Sequence, residues 1–403
     1  MMDGIRNFLS EPGVISAAGK SAEALWKSVT TGDRSGIRKV RTSTDEEFYA
    51  ARTDNSLLCA SSAKYDMRIM RLEEAALDMI SGAVEKAKSM FPAERIAVCV
   101  GSCDNGTEFS VAGHREFFSG GKFPKDYSLE IQGADYVASF VSEKFGLKGP
   151  SATFSTACSS SAVAMIKAAE LIKAGLADAV VTGGVDIASD TVLLGFNSLE
   201  AVSPEMTNPF SVNRRGITLG EAAAFFVMSR VPLQENAPEI ELLGWGEAAD
   251  AYHMTSPDPS GKGAESAIRR ALSSAGLEPS QIDYINLHGT GTKFNDSMEA
   301  KAVNSVFAGL NVPASSTKSV TGHTLGAAAA LEAAICWMAV KNGAEKTAAL
   351  PIQVWDKIRD PEIPELNFVS RGDEIHVAGP IRKCLSNSFA FGGADASLII
   401  GVR

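Results

Sequence analysis

The sequence lacks a basic excess, paired cysteines and a long uninterrupted apolar run. Its 48 acidic residues outnumber its 38 Lys and Arg residues, which gives a net charge of −10 and a pI near 5.2. Nucleic acids and anionic membranes attract proteins with a dominant basic surface, so neither is expected as the main partner. An acidic protein partner would need a local basic patch.

Cysteine is present, but without the spacing of a metal site or a disulfide framework. The six positions are Cys59, Cys99, Cys103, Cys158, Cys336 and Cys384. Cys99 and Cys103 are spaced as Cys-x3-Cys, and no second ligand pair follows at a zinc-site spacing. In a chain of this size without a secretory signal, we expect free thiols.

No segment has the length and apolarity of a membrane-spanning helix. The opening residues, MMDGIRNFLSEPG, contain no apolar stretch of the signal-peptide type. The most apolar helix candidate, AAAALEAAICWMAV, contains Glu332 and is too short to cross a bilayer. The sequence therefore predicts a cytoplasmic protein without membrane insertion.

What the sequence does contain is an alternation of strand-like and helix-like segments. The strand candidates are short β-branched or apolar runs, at 96–102, 177–186, 222–229, 239–246 and 282–289. The helix candidates are longer and Ala-rich, at 71–90, 161–175 and 262–277. This alternation predicts an α/β fold with buried sheets.

Two small-residue helices suggest an internal duplication. TACSSSAVAM and TGHTLGAAAA each begin with a polar turn and continue into an Ala-rich helix, and the offset sets Cys158 opposite His323. We predict two halves that each bury one such helix at a shared centre. The VPLQENAPE stretch places the boundary near 231–238, with an N-terminal half (1–235) that carries the cysteine and a C-terminal half (236–403) that carries the two histidines.

The segment FSTACSSSAVAM is the sharpest candidate for chemistry. Cys158 follows a strand-like run and a tight turn, and a helix begins immediately after it. At a helix N-terminus, a thiolate is stabilised by unpaired N–H groups and the helix dipole. The same N–H groups can stabilise an oxyanion on an attached thioester. Taken alone, this placement is also compatible with a buried structural cysteine.

Histidine is scarce, and two of the few histidines lie in unusual surroundings. The five positions are His114, His253, His288, His323 and His376. His288 and His323 lie in INLHGTGTKFND and STKSVTGHTLGAAAALE, where glycine allows a ligand to approach the backbone. Thr290 and Thr292 offer hydroxyl groups to a polar ligand arm. A lone histidine is more often structural, but two beside a candidate nucleophile favour a catalytic site.

Lys318 and Glu332 flank His323 along the chain. If the Ala-rich helix is buried, Glu332 needs a cationic or hydrogen-bonding partner, because an unpaired buried carboxylate is costly. Lys318 is the obvious candidate. A last motif, LSNSFAFGGADASLII, is by itself typical of a plain hairpin.

Four motifs in this order resemble the β-ketoacyl-acyl-carrier-protein synthases of the elongating type. They are FSTACSSSA, NLHGTGTKFNDSMEAKAV, STKSVTGHTLGAAAALEA and SNSFAFGGADAS, and the resemblance covers nearly the whole chain. It implies a thiolase fold, in which two duplicated α/β halves form a five-layered αβαβα core. It also implies a dimer, with a homodimer expected and a heterodimer with a related subunit as the alternative.

The resemblance also implies roles for particular residues. Cys158 is the implied nucleophile, completed by His288 and His323, with Lys318 as the motif lysine and Glu332 as its partner. The further implied positions are Phe391 in the oxyanion hole with Cys158 and as the gate of the acyl pocket, Thr290 and Thr292 on the pantetheine arm, and Asn286, Glu332, Ser386 and Asn387 at a structural monovalent cation. Relatives place cations for carrier docking at positions that correspond to Lys64, Arg68, Lys122 and Lys125.

The implied reaction is a decarboxylative condensation in fatty-acid, polyene or polyketide elongation. An acyl group moves from its carrier to Cys158, malonyl carrier loses CO2, and the resulting carbanion attacks the Cys158 thioester. For this step His288 and His323 should be neutral and should donate N–H groups to the enolate oxygen. No tightly bound cofactor is expected, because the acyl carrier protein supplies the phosphopantetheine.

Four positions depart from the family pattern. Pro12 interrupts the first strand, which we expect to be short or displaced. In FSVNRRGI, Ser211 replaces the usual acid and Ile217 an aromatic residue, which predicts an altered malonyl pocket. Ala390 replaces a glycine beside Phe391, which predicts a stiffer gate.

Three other functions compete with a synthase. A degradative thiolase needs a second catalytic cysteine in a Gly-rich C-terminal motif, and Cys384 precedes the corresponding place. A subunit that sets chain length or acts as a scaffold in a heterodimeric condensing complex typically lacks the nucleophile. A cysteine hydrolase would explain neither the second histidine nor Lys318. The acyl chain length and the pathway are left open.

Overall fold

The computed structural model describes residues 5–233, 238–343, 349–370 and 380–403. The predicted boundary between 235 and 236 lies outside the described residues, as does His376. The division into halves at that point therefore stays a prediction.

The described chain alternates between strands and helices. The strands are β1 (Phe8–Leu9), β2 (Gly13–Ser16), β3 (Ile37–Arg41), β4 (Glu47–Ala51), β5 (Ile96–Gly101), β6 (Ser151–Phe154), β7 (Ala179–Asp186), β8 (Leu219–Gly220), β9 (Ala222–Ser229), β10 (Glu241–Ala249), β11 (Tyr284–Asn286), β12 (Ala314–Ser315), β13 (Lys383–Phe389) and β14 (Ala394–Gly401). The α-helices are α1 (Ala22–Thr31), α2 (Arg68–Met90), α3 (Thr107–Gly120), α4 (Tyr136–Phe145), α5 (Ser160–Lys173), α6 (Asp190–Ser198), α7 (Lys262–Ala275), α8 (Lys293–Phe307), α9 (Lys318–Thr321) and α10 (Ala328–Asn342).

The large sheet consists of two halves with the same strand order and directions. One half runs β6-β5-β7-β9-β2 and the other β12-β11-β13-β14-β10. In each half the first three strands are parallel, and the last two pairings are antiparallel. The short β1 pairs with both β9 and β10 and joins the halves. This repeated topology confirms the predicted duplication.

Helices α5 and α10 form the middle layer between the two halves. α5 packs on β5 and β7 as well as on β14, and α10 packs on β9 and β13. Every residue of α10 from Ala328 to Val340 is buried, as expected for a helix that is apolar on all sides. The Ala330 N–H donates to Ser161 Oγ at 2.9 Å, so the small side chains let the two helices approach closely.

The outer layers complete the five-layered thiolase fold that the sequence predicts. α2 and α4 cover the sheet of the first half, and α7 and α8 cover the sheet of the second. The small sheet β3-β4-β8 packs beside the core. It has no counterpart among the sequence predictions, and neither do α3 and α6. None of the described helices is long and apolar enough to cross a membrane.

The first strand is short, as predicted, and a second strand follows after a break. β1 ends at Leu9 and β2 begins at Gly13, with Pro12 between them. Because proline has no N–H group, it cannot donate to the ladder at this point. At the break the Ser10 Oγ accepts the Val227 N–H at 2.9 Å, so a side chain satisfies this donor of β9.

Candidate active site

Cys158 lies at a strained turn between β6 and α5. Ala157 has a φ of +51°, a left-handed conformation that is uncommon for residues other than glycine. Ser160 stabilises the turn, since its Oγ donates to the Ala157 carbonyl at 2.6 Å and accepts the Thr156 N–H at 2.9 Å. The turn aims the buried Cys158 side chain at the space between the two halves.

The two motif histidines meet Cys158 across the interface of the halves. His323 Nε2 lies 2.9 Å from Cys158 Sγ, and a ring nitrogen of each histidine lies within 4.8 Å of the sulfur and of the other. The rings of His288 and His323 are 5.4 Å apart and nearly perpendicular. Three residues separated by up to 165 positions thus form one cluster.

Backbone contacts fix the position of His288. Its N–H donates to Glu299 Oε1 and the Gly289 N–H donates to Glu299 Oε2, both at 2.7 Å. Glu299 lies on α8 and is fully buried. Burial raises the pKa of this carboxyl to about 7, although both N–H groups oppose the rise.

Both histidines are neutral in this environment. Burial and the nearby Lys318 cation lower the pKa of His288 and of His323 well below the usual value. His323 Nδ1 accepts the Leu325 N–H at 3.3 Å, which leaves the proton on Nε2. His323 therefore presents an N–H to the Cys158 sulfur, and its imidazole is a donor at this position.

Cys158 is a thiol in this pocket. Burial raises the pKa of Cys158 to about 11, while the backbone N–H of Phe391 and the Lys318 charge oppose that rise. The helix N-terminus alone does not keep this sulfur ionised. All six cysteines are free, as predicted.

Lys318 and Glu332 form the buried ion pair that the sequence predicts. Lys318 is 1% exposed and Glu332 is 2% exposed, and Lys318 Nζ donates to Glu332 Oε1. Burial raises the pKa of Glu332, and Lys318 opposes that rise. The Lys318 cation acts on both imidazoles and adds to the effect of burial in lowering their pKa.

A cavity of about 380 Å³ opens above the cluster. Phe391 lines it from the loop between β13 and β14, and its ring stacks on Phe196 of α6 with centroids 6.0 Å apart. Ala390 does not adopt a positive φ, unlike Gly392 and Gly393, so alanine fits there without backbone strain. The motif at 385–400 forms the hairpin of β13 and β14, and the turn of this hairpin borders the cavity.

The cavity is lined by residues from both halves of the molecule. Thr290 and Thr292 line it and share a hydrogen bond of 3.0 Å between their hydroxyls. Ile217 lines it as predicted. Ser211 lies behind this wall and its Oγ donates to Asp356 at 3.0 Å, so a carboxylate from another segment lies near the residue that replaces the usual acid.

Three of the four predicted cation ligands share one side of the second sheet. Asn286 and Ser386 are register partners in β11 and β13. Their side-chain oxygens and Glu332 Oε2 are buried and have no hydrogen-bond partner among the described residues. The Asn387 side chain does not join them, because its Nδ2 donates to Glu299 and its Oδ1 accepts from Ser397, and its place at the cation stays a prediction. Adjacent strand residues point to opposite faces, so the Asn387 side chain faces α8.

The four predicted docking cations differ in their surroundings. Arg68 is engaged within the chain, because its guanidinium donates to the buried Glu221, to the Thr53 carbonyl and to Asn55; its docking role stays a prediction. Lys64 is exposed but pairs with Glu130 at 2.7 Å. Lys122 and Lys125 are exposed, and their docking role stays a prediction.

Sequence reasoning missed three charged residues of this site. Glu299 anchors His288, Arg214 lines the cavity and pairs with Asp360 at 2.6 Å, and Asp395 also lines the cavity. Each lies inside a motif already singled out by its neighbours. The sequence did contain a signal for them: a charged residue within an otherwise buried motif is costly unless it has a partner, so each such residue predicts one.

The fold and the site together define a condensing enzyme of the thiolase fold. The profile described as "Beta-ketoacyl synthase, N-terminal domain" matches residues 13–232, and that described as "Beta-ketoacyl synthase, C-terminal domain" matches residues 240–348. These matches cover most of the chain. The chain belongs to the β-ketoacyl synthase family.

Relatives and solved structures agree with this assignment. The chain is 31% identical to 3-oxoacyl-[acyl-carrier-protein] synthase 2 of Coxiella burnetii, over 96% of each chain. It is 30% identical to the enzyme of that name from Staphylococcus aureus, over 99% of each chain. A ketosynthase in complex with its chain length factor from Xenorhabdus doucetiae superposes with a TM-score of 0.89 at 36% identity, covering 99% of this chain and 98% of that one. The ishigamide ketosynthase/chain length factor superposes with a TM-score of 0.85 at 27% identity, over 99% of each chain.

Proposed function

We propose that this protein condenses a malonyl group with an acyl group held on Cys158, both delivered by an acyl carrier protein. The observation that carries the proposal is the Cys158, His288 and His323 cluster, whose reactive atoms lie within 4.8 Å of one another at the base of a cavity. A chain-length or scaffolding subunit would not need this cluster.

In the first half-reaction the Cys158 sulfur attacks the acyl thioester of the carrier. The new thioester bond forms at Cys158, and the released carrier thiol takes the proton that the Cys158 thiol gives up. The N–H groups of Cys158 and Phe391 are the donors for the oxyanion that forms on the way. The His323 Nε2–H stabilises the sulfur as it becomes negative.

In the second half-reaction the malonyl carrier occupies the same cavity. Loss of CO2 leaves an enolate, and the two neutral imidazoles can each donate an N–H to its oxygen. The carbanion attacks the carbonyl carbon of the Cys158 thioester, and the sulfur leaves. The product is a β-ketoacyl group that is two carbons longer. The lowered pKa of each histidine suits this task, because the donors stay neutral at physiological pH.

We propose that no cofactor is bound tightly and that the pantetheine arm of the carrier enters beside Thr290 and Thr292. The unpaired oxygens of Asn286, Ser386 and Glu332 fit a hard monovalent cation. Such an ion would fix the end of β11 that leads to His288. Asn387 could contribute only through its backbone, since its side chain is engaged elsewhere.

We also propose that the chain assembles with a second subunit of the same fold. Its α3 surface, defined here as Phe117, Phe118, Phe123 and Leu129, exposes apolar side chains, and Phe118 and Leu129 are 80% and 77% exposed. β6 is the last strand of its sheet, and it pairs only with β5 among the described strands. Two of the similar structures contain a ketosynthase with a chain length factor. A homodimer and a heterodimer both fit this surface.

The test is acyl transfer from carriers of several chain lengths, read as intact protein mass. We expect an adduct that maps to Cys158 and that is absent in Cys158→Ala. The matched control is Cys103→Ala, which removes a thiol near the same turn, 3.2 Å from the Ala157 carbonyl, and should keep the adduct. A folded protein that forms no adduct with any carrier would contradict the proposal.

A further inference from the structure

A carboxyl group in the wall of the active-site cavity meets a second carboxyl group from a neighbouring segment. Asp395 lies near the start of β14, is 3% exposed and borders the cavity beside Phe389. In the sheet it is the register partner of Phe389 in β13 and of Ala248 in β10. Asp250 follows directly after β10, so the strand pairing brings the two acidic residues to the same end of the sheet.

The facing oxygens of this pair have no donor between them. Asp250 Oδ1 and Asp395 Oδ2 are buried, and neither accepts a hydrogen bond within the described part of the chain. A Cβ built on Gly263, near the start of α7, would lie 2.2 Å from the first oxygen and 2.6 Å from the second. Two buried acceptors that converge on one point can be satisfied by a single proton held between them.

The charges around the pair favour retention of that proton. Burial comes first among the causes that raise the pKa of Asp395 to about 8, followed by the Asp250 carboxyl and by Glu299 of α8. α7 contributes Gly263 at this point, and the flanking strand positions in β10 and β13 are Ala248 and Phe389. Lys262 precedes Gly263 but is exposed to solvent and acts on Asp258, and it is not among the groups that shift the pKa of Asp395. The charged groups that act on Asp395 are therefore both acidic.

The same pair adjoins the loop that carries Phe391. The Asp250 N–H donates to the Gly393 carbonyl at 2.9 Å, and the Gly392 N–H donates to the Met254 carbonyl at 2.8 Å. A Cβ on Gly393 would lie 2.7 Å from the Asp250 Cβ. The loop therefore rests directly on the segment that follows β10.

We propose that Asp250 and Asp395 share one proton, and that this proton holds the Phe391 loop against the segment after β10. When the proton is lost, two negative charges remain in contact, and their repulsion loosens the loop that places the Phe391 N–H beside Cys158. Acyl transfer to Cys158 then slows as the pH rises. Asp250 and Asp395 are positioning residues, and only the catalytic consequence rests on the proposed function.

Hydrogen exchange of the loop tests the shared proton without using activity. The variant Asp395→Asn replaces the titrating group with an amide that donates to Asp250 at every pH. Peptides that cover 247–259 and 386–397 should exchange alike in the wild type and in D395N at pH 6. With labelling times scaled for intrinsic base catalysis, the wild type should exchange faster above pH 8, with a ratio that grows up to about tenfold per pH unit. Equal exchange of the two proteins across this range would overturn the proposal.

The reciprocal variant, Asp250→Asn, tests whether the effect of D395N comes from the shared proton or from a local disturbance at position 395. In Asp250→Asn the amide oxygen can still accept the Asp258 N–H, which Asp250 Oδ2 accepts at 2.9 Å, while the NH2 group donates to Asp395. Because either amide supplies the missing hydrogen, D250N should show the same pH-independent protection as D395N. If D250N kept the wild-type pH dependence, the shared proton would be excluded.

The rate of Cys158 acylation tests the consequence for catalysis. Cys158 titrates in all three proteins, so its effect cancels in the ratio of variant to wild type. Glu299 acts on Asp395, and because Asp250→Asn keeps the Asp395 carboxyl, agreement between the two variants separates the effect of Glu299 from that of the pair. After normalisation at pH 6.5, both variants should gain on the wild type above pH 8. Superimposed profiles, with pH-dependent exchange confirmed, would overturn the positioning role. If no protein formed an acyl adduct, the proposed function would fail while the exchange data still decided the shared proton.

Discussion

At the residue scale, the site depends on charges that are buried in pairs. Cys158, His288 and His323 are all uncharged at rest, because burial raises the pKa of the thiol and lowers the pKa of each imidazole. Lys318 and Glu332 form a buried ion pair, and the Lys318 charge acts on both imidazoles. The reactive groups thus sit in a low-dielectric pocket, where an N–H donor acts more strongly on a developing oxyanion than it would in water.

Removing one member of the Lys318–Glu332 pair should lower the free energy of unfolding. In Lys318→Met, Glu332 loses its partner while it stays buried, so we expect a loss of about 3–5 kcal/mol in the free energy of unfolding. The deficit should shrink as the pH falls, because the unpaired carboxyl can then take up a proton. Urea unfolding at several pH values measures both effects.

Two further variants serve as controls for that experiment. Lys88→Met removes a surface lysine that pairs with Glu85 and should change stability by no more than about 0.5 kcal/mol. Glu332→Gln added to Lys318→Met should recover part of the loss. A cost for Lys318→Met no larger than that for Lys88→Met would show that the pair is not required for stability.

At the scale of elements, the position of the turn before α5 depends on Gly101, which lets β5 and α5 pack in direct contact. A Cβ on Gly101, the last residue of β5, would lie 2.3 Å from Ser161 N and 2.4 Å from Ser161 Cα. These are backbone atoms of the first turn of α5, so they cannot move without shifting Cys158. The close approach is what places the helix N-terminus under the cavity.

Gly101→Ala should therefore impair both stability and acylation. We expect overpacking to cost about 1–3 kcal/mol in the free energy of unfolding, together with slower acyl transfer to Cys158. Gly82→Ala is the matched control, because a Cβ there meets no atom within 4 Å. In the interior of α2 it should stabilise the protein by up to about 1 kcal/mol. Equal effects of the two changes would refute the close-contact argument.

At the scale of the whole molecule, one surface of the monomer is unusually apolar. Phe118 of the α3 surface is 80% exposed, although large apolar side chains are generally buried. Its neighbours stack among themselves, with the Phe117 and Phe123 rings 4.6 Å apart. Such a surface is typical of one that is covered in an assembly.

Phe118→Asp should weaken that assembly without unfolding the chain. We expect the wild-type chain to sediment as a dimer and the variant to dissociate at protein concentrations at least about tenfold higher, since a charge would be buried in an apolar interface. Leu176→Asp, at a side chain that is 57% exposed outside the α3 surface, should leave the dimer intact. A wild-type chain that sediments as a monomer would favour a heterodimer with a related subunit.

The sequence by itself determined the α/β class, the duplicated small-residue helices and the three reactive residues. These follow from local patterns: strand and helix periodicity, a cysteine before a helix, and histidines among glycines. The sequence also predicted a short or displaced first strand beside Pro12, because proline has no N–H for the ladder. It predicted Lys318 as the partner of Glu332, because a buried carboxylate without a partner is costly.

Only the tertiary structure decided which charges are free and which are engaged. Arg68 is indistinguishable from a docking cation in the sequence, yet it binds Glu221, which lies 153 positions away. Asn387 matches a ligand motif, but strand alternation turns its side chain towards α8. Asp250 and Asp395 belong to separate motifs, and the pairing of β10 with β14 makes them neighbours. Contacts between distant segments depend on sheet register and burial, and neither can be predicted from the local sequence.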